Sequence, residues 1–315
     1  MFASGSGRYS RAKTMKVLII GASGFIGYYV GRRLIGESEI EVVSTYNSRI
    51  PDDVDKSWLP LDITDHDCVE EIFQNVRPDV VLLLAAIADV KTAETGQERT
   101  TEVNVGGTRQ VAQLCSQQGT KLIFLSSEYV FGGDNGPYHE DDSPDPITHY
   151  GTTKSQAEKA VADHVSQWSI VRTSLVYGWP LRGRRNTVTS IADRLRSGQT
   201  YIGDSHAYRT PIYVEHLIEG ITELVVNDHT GIFHIAGANL MNMYEFGRVV
   251  AEAFRLDGRL VQPADIQCRV PHPTNLSRQT PPLDILGLDC RQTNSQLGLR
   301  TFDITTGLRE MLHKG

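Results

Sequence analysis

Apolar residues gather into short runs along the first half of the chain, at 16–20, 40–45, 79–84, 121–125 and 169–173. Runs of this length, bounded by turn formers, predict strands. Between them apolar positions recur at helical spacing, as in 65–76 and 102–118. Those stretches predict helices with one apolar face. The alternation runs from Lys16 to about Thr173 and predicts an α/β fold, a doubly wound parallel sheet.

From about Trp179 the pattern changes. A helical stretch runs to Arg196, residues 214–227 predict another helix, and 231–236 predict a strand that rejoins the sheet. The remainder, with Pro263, Pro271, Pro273, Pro281 and Pro282, reads as loop with short helices. So does the Gly-, Asp- and Pro-rich stretch from Gly132 to Pro146. Its acidic run, His139-Glu-Asp-Asp142, repeats no ligand spacing and reads as solvated loop. Residues 1–14 read as an extension, 15–178 as the main sheet domain, and 179–315 as a smaller lobe, with about 212–237 returning to the sheet. No repeat or low-complexity segment interrupts this plan.

The first strand runs straight into Gly21-Ala-Ser23-Gly24-Phe25-Ile26-Gly27, and a helix follows. A glycine turn between strand and helix lets backbone N–H groups approach a pyrophosphate at the helix N-terminus. The spacing is G-x-x-G-x-x-G rather than G-x-G-x-x-G. Gly21, Gly24 and Gly27 would shape the turn, and Ser23, Phe25 and Ile26 would present their N–H groups.

Tyr150-Gly-Thr-Thr-Lys154 places a phenol and an ammonium one helical turn apart, on one face. Opposite charges about 4 Å apart interact by roughly 4 kcal/mol at an effective dielectric of about 20. That would lower a phenol from about 10 towards about 7, and desolvation would oppose it. The tyrosine would then exchange a proton near neutral pH. Upstream, Lys121-Leu-Ile-Phe-Leu125 ends in Ser126-Ser127, a hydroxyl at the carboxyl end of a strand, where open α/β sheets bind ligands. Tyr-x-x-x-Lys alone recurs on surface helices. The glycine turn and the serine give it meaning.

This ordered set resembles the short-chain dehydrogenase/reductase superfamily in its extended form, over roughly residues 15 to 313. Within it, Ser127-Glu-Tyr-Val-Phe131, Gly136-Pro-Tyr138, Thr210-Pro-Ile-Tyr-Val214 and the tail around Pro281-Pro282-Leu-Asp284 resemble the dTDP-4-dehydrorhamnose reductase branch. That branch usually has Asp where this chain has Glu128. The resemblance implies an NAD(P)-binding Rossmann domain followed by a substrate-binding lobe. It implies Ser127, Tyr150 and Lys154 as the catalytic set, with Tyr150 and Lys154 also contacting the cofactor. It places Asp62 and Ile63 against adenine, Ala85, Ala86 and Val176 along the cofactor, and Asn104 in a supporting role near Lys154. Between the two serines the family register favours Ser127.

Cofactor choice is read after the second strand. NAD sites usually carry an acid about 20 residues past the turn. Here the run is Ser44-Thr45-Tyr46-Asn47-Ser48-Arg49, without an acid. Ser48 and Arg49 could hold a 2′-phosphate, so NADP(H) is favoured over NAD(H), with an ordinary exposed arginine as the other reading. Arg172, Arg182, Arg184, Arg185, Arg209 and Arg278 are candidate clamps for phosphate or carboxylate, one or two of them expected to touch a nucleotide diphosphate and most to be ordinary surface arginines.

Composition narrows the class. The chain has 315 residues, 40% hydrophobic and 22% charged, with net charge -7. That suits a globular enzyme and disfavours nucleic acid, whose binders carry a basic excess. No run of about 20 apolar residues predicts a membrane span. Cys68, Cys115, Cys268 and Cys290 are scattered and form no zinc spacing, so a reducing, cytoplasmic setting and no metal are expected. The expected function is an NADP(H)-dependent reductase of a nucleotide-activated keto-sugar or related carbonyl, with a homodimer left open. Two alternatives stand beside it. One is a non-catalytic NADP-binding subunit like the methionine adenosyltransferase β subunit, which belongs to the same branch. The other is a nucleotide-sugar epimerase. A sugar dehydratase is disfavoured, because Tyr129 stands where those enzymes carry a second acid.

Overall fold

The computed structural model describes residues 14–50, 57–181, 186–264 and 285–314. Its first strands are β1 (Met15–Ile20), β2 (Ile40–Tyr46), β3 (Leu59–Pro60), β4 (Val80–Leu83), β5 (Lys121–Ser127) and β6 (Trp168–Thr173). All but β3 follow the apolar runs; β3 is too short to leave a periodic signal. Further on lie β7 (Val176–Tyr177), β8 (Tyr201–Gly203), β9 (Tyr208–Arg209), β10 (Ile212–Tyr213), β11 (Gly231–His234), β12 (Met241–Asn242) and β13 (Val261–Pro263).

Seven strands form one sheet in the order β11-β6-β5-β4-β1-β2-β3. Every pairing in it is parallel. The fold is therefore a Rossmann-type α/β sheet. β11 extends it from beyond residue 230 by pairing with β6, Ile232 opposite Ile170.

Successive residues on a strand face opposite sides of the sheet. Val17, Ile19, Leu82, Ile123 and Val171 face one core. It is shared with α1 (Phe25–Ile35) and, later in the chain, α8 (Val214–Val226). Leu18, Ile20, Val81, Leu83, Leu122 and Phe124 face the other. That core takes in α2 (His66–Val76), α5 (Thr108–Gln118) and α6 (His149–His164). Each such side chain buried contributes about 1.5–3 kcal/mol. Both faces of the sheet are buried, which is why its strands read as apolar runs rather than alternating ones.

Between β4 and α5 lie two short helices, α3 (Val90–Thr95) and α4 (Gln97–Thr101). The helix expected over 102–118 divides into a π-helical turn, Glu102–Gly107, and α5. Such turns tend to mark functional positions. Downstream, α7 (Thr187–Arg196), α9 (Met243–Ala253), α10 (Arg291–Leu297) and α11 (Ile304–Lys314) complete the described helices. Buried residues of α7, α9 and α11, including Ile191, Phe246 and Leu308, join the core shared with α1 and α8.

β1 lies between β2 and β4, so the chain leaves it in opposite directions on its two visits to the sheet. A crevice opens at the carboxyl ends of strands at such a switch point. Its rim is fixed by Ile20, whose carbonyl accepts from Leu84 N at 2.9 Å and Ala85 N at 3.0 Å.

Candidate active site

The three turn glycines have different tasks. Gly21 has φ +94°, and a Cβ there would lie 2.6 Å from Ala85 N. Only glycine accepts both conditions. A Cβ at Gly27 would collide with the Gly21 carbonyl oxygen. These two glycines are needed by the fold itself. At Gly24 the only close atom among the described residues is Gly21 O, at 3.2 Å, and the backbone is extended (φ −73°, ψ 166°). Gly24 caps α1 with no side-chain hydrogen bond. The first turn of a helix exposes N–H groups and a positive dipole end, a setting that suits a phosphate.

Beside the turn lies a cleft of about 350 Å³. Gly21, Ser23 and Gly24 line one side, Tyr46 and Asn47 another, and Asp62, Ile63, Ala85 and Ala86 a third. Asp62 is ordered within it. Its Oδ1 accepts from Thr64 N at 2.9 Å and Thr64 Oγ1 at 2.7 Å, while Arg99 Nη2 reaches Oδ2 at 3.0 Å. The Thr64 hydrogen bonds, with Arg99 assisting, hold its carboxyl below the usual range. Arg99, also a lining residue, carries no sequence signal; it lies in a short charged helix and meets Asp62 only through the fold.

β5 delivers the hydroxyls. Ser126 turns inward and donates to Glu158 Oε1 at 2.5 Å. Ser127 faces the other way. Its Oγ accepts from Tyr129 N at 3.3 Å, capping the turn Glu128–Val130, and lies beside the Tyr150 phenol. α6 can approach this turn because Gly151 lies against Tyr129 O, where a Cβ would clash. Thr148 caps α6 by accepting from Gly151 N at 2.9 Å. Glu94 Oε1 accepts from His149 N at 2.7 Å and Tyr150 N at 3.4 Å. Gly151 and Glu94 thus aim the tyrosine, although neither stood out in the sequence.

Lys154 lies one turn along α6, its Nζ donating to Leu125 O at 2.6 Å and lying 3.9 Å from the Phe124 ring centroid. Burial pushes its ammonium down to about 7, with Glu158 opposing. Burial pushes the Tyr150 phenol up to about 12, with the Ser127 hydrogen bond opposing. The expected lowering of Tyr150 by Lys154 is therefore corrected. Both groups are desolvated, and the lysine spends its contacts on Leu125 and Phe124.

Asn104, on the π turn, joins the two regions. Its Oδ1 accepts from Ile87 N at 2.8 Å, and its Nδ2 donates to Ile87 O and Thr153 Oγ1, each at 3.1 Å. Ile87 lines the cleft and Thr153 precedes Lys154.

The description of the RmlD substrate binding domain matches residues 15–314. The chain belongs to that family. It is thereby of the extended short-chain dehydrogenase/reductase type, a class of NAD(P)-dependent oxidoreductases. Among its relatives, methionine adenosyltransferase 2 subunit beta of Danio rerio is 26% identical over 294 residues, 90% of this chain and 89% of that protein. The Haloferax volcanii protein named "Probable low-salt glycan biosynthesis reductase Agl14" is 31% identical over 253 residues, 79% of this chain and 83% of that one. In structure the RmlD-family chain is similar to dTDP-4-dehydrorhamnose reductase of Bacillus anthracis in complex with NADP. The TM-score is 0.78 at 24% identity, covering 95% of this chain and 99% of that one.

The structure of this RmlD-family member sorts the expected site residues. Gly21, Ser23, Gly24, Asp62, Ile63, Ala85 and Ala86 come together in the cleft. Phe25, Ile26 and Gly27 form the first turn of α1. Ser48 and Arg49 are exposed, just past Asn47. Val176 lies in β7, opposite Ile212 of β10. Two candidate clamps are corrected. Arg172 is buried, 1% exposed, and paired to Glu158 at 2.8 Å. Arg209 is paired to Glu128 at 3.1 Å. Arg182, Arg184, Arg185, Arg278 and Cys268 lie outside the described residues. In the acidic run 139–142, read as solvated loop, His139, Asp141 and Asp142 are exposed; Glu140 alone departs, buried with its Oε1 accepting from Thr293 N at 3.2 Å and Thr293 Oγ1 at 2.5 Å. Among the described residues no group of three or more His, Cys, Asp or Glu is placed to hold a metal, and no helix is long and apolar enough to cross a membrane.

Proposed function

We propose that this chain is an NADP(H)-dependent reductase of a nucleotide-activated keto-sugar. The observation that carries the reading is the placing of the Ser127 hydroxyl beside the Tyr150 phenol at the carboxyl edge of β5, with Lys154 one turn further along α6. The glycine turn and cleft suit a dinucleotide: Gly24 leaves open the space a phosphate needs, and Asp62 presents an ordered carboxylate to a base. When bound, the nicotinamide supplies a hydride to the carbonyl carbon.

The protein's own part is proton chemistry and positioning. Ser127 donates to the carbonyl oxygen and stabilises the charge that develops there. Tyr150 gives its phenolic proton to that oxygen. A phenol held near 12 stays protonated throughout the neutral range, as a donor must. Lys154 holds the nicotinamide ribose. NADP(H) over NAD(H) rests on Arg49 and the acid-free run after β2. The residues after Gly178 form the substrate lobe.

The Agl14 relative, named a reductase, supports this reading. The relative named as a methionine adenosyltransferase subunit supports a second one, a cofactor-binding partner subunit without turnover. The test is NADPH oxidation against dTDP-4-keto-6-deoxy sugars and then a broad panel of keto-sugars. Turnover of any panel member establishes the reductase. Tight NADPH binding with no turnover, together with co-purification of a methionine adenosyltransferase, would replace it with the subunit.

A further inference from the structure

Glu128 directly follows Ser127 in the chain, and its carboxyl is buried, with Oε2 lacking a hydrogen-bond partner among the described residues. A buried carboxylate so placed costs stability unless a partner holds it. Its partner is Arg209, whose Nε lies 3.1 Å from Oε1. Arg209 belongs to β9, which pairs with β12, far along the chain from the serine. The same guanidinium lies 5.5 Å from the centroid of the Tyr129 ring. Tyr129 in turn meets Tyr150 edge to face, centroids 5.7 Å apart. One arginine from the second half of the chain thus grips both residues that follow the serine, and one of them touches the tyrosine.

We propose that Glu128 and Arg209 form a positioning pair. By tying the Glu128–Val130 turn to β9, it holds the Ser127 hydroxyl and the Tyr150 phenol within hydrogen-bond reach. The kinetic consequence rests on the reductase reading above; the geometric one does not. Glu128 is longer by one methylene than the Asp usual here, and that extra reach serves the contact with Arg209. Around the carboxyl stand Arg209 from β9, Ser174 from the segment after β6, Tyr150 from α6 and Tyr129 on its own turn. Burial pushes the carboxyl up to about 7, with Arg209 and Ser174 opposing. The pair is therefore ionic above about pH 7 and is lost as the carboxyl takes up a proton below it.

The test compares the full-length wild type with Glu128→Gln, Glu128→Asp and Arg209→Lys. In the keto-sugar assay, Glu128→Gln should lower kcat about tenfold or more, as small misplacements of reacting groups do. KM and the NADPH dissociation constant should change little. The rise of kcat through about pH 7 should disappear in Glu128→Gln; Lys154 titrates in the same window, so only that loss assigns the rise to Glu128. Glu128→Asp and Arg209→Lys, which keep the charges, should restore part of the rate. Crystal structures of wild type and Glu128→Gln with NADPH give a readout independent of turnover. Separation of the Ser127 hydroxyl from the Tyr150 phenol in the variant supports the pair, and an unchanged arrangement overturns it. If Glu128→Gln does not fold, Arg209→Gln, which removes the other charge of the pair, carries the same comparison. If the wild type reduces nothing, the reductase reading falls while the crystal comparison still decides the positioning role.

Discussion

Ser126 and Ser127, neighbours on β5, serve opposite sides of the sheet: Ser126 donates to buried Glu158 at 2.5 Å, and Ser127 lies beside the Tyr150 phenol. The period of two along a strand separates them. Ser127→Ala should lower kcat by on the order of 10², the scale for losing one donor to a developing oxyanion, and leave the melting temperature almost unchanged. Ser126→Ala should leave kcat near wild type and cost about 1.5–3 kcal/mol of stability, the net worth of a hydrogen bond to a charged group. Steady-state kinetics and denaturant melts on the two variants check this. An exchange of the two phenotypes would move the chemistry to Ser126.

Gly24→Val separates binding from folding. The added Cβ meets only Gly21 O at 3.2 Å, and the extended backbone suits a β-branched residue. The side chain then fills the space in front of the α1 N-terminus. Calorimetry should show NADPH affinity lowered by at least 10², while circular dichroism and melting stay near wild type. The matching change at Gly27 should instead cost the fold, because its Cβ would strike the Gly21 carbonyl. A Gly24→Val protein that binds NADPH normally would place the phosphate cradle elsewhere.

Much of this was legible in the chain, and the reasons for the rest are physical. The main strands announced themselves because their faces are buried on both sides, as Leu18 and Ile19 show by facing different cores. Tyr150 and Lys154 were legible because they are neighbours on one helix. Arg99 was not, since its partner Asp62 lies 37 positions away and only the fold joins them. Arg172 and Arg209 were misread as clamps for one shared reason. A sequence shows that an arginine is charged; burial and the carboxylate beside it, Glu158 or Glu128, decide its task. Lys154 and Tyr150 also show why spacing misjudged a pKa: burial, not the neighbouring charge, dominates both shifts.

Arg49 is exposed past Asn47, and Asn47 lines the cleft. If Arg49 takes the 2′-phosphate, Arg49→Ala should weaken NADPH about tenfold or more, a charge-assisted hydrogen bond being worth roughly 1.5–3 kcal/mol. NADH affinity should not change. Titration of both cofactors against both proteins checks this. Equal weakening of the two would move Arg49 to a contact common to both cofactors, and no change in either would remove it from the site.

Lys154 gives a prediction about stability and activity together. Burial lowers its ammonium from 10.5 to about 7 in the folded chain, so the unfolded chain binds more protons between those values. Stability from this group therefore rises with pH across that window; it is fully present above 10.5 and lost as pH falls through about 7. Lys154→Met removes the titration and keeps an apolar stem in the same space. In the cofactor-free protein the variant should melt above wild type at pH 6, where the buried ammonium is charged. That advantage should shrink steadily towards pH 10. With NADPH and a keto-sugar the same variant should lose both cofactor affinity and turnover, the latter by 10² or more, since the lysine holds the ribose next to Tyr150. Melting scans at several pH values, beside kinetics on the same samples, decide the matter. A variant less stable than wild type at pH 6 would mean that the Leu125 hydrogen bond and the Phe124 ring outweigh the cost of burying the charge. A variant more stable yet equally active would remove Lys154 from the chemistry.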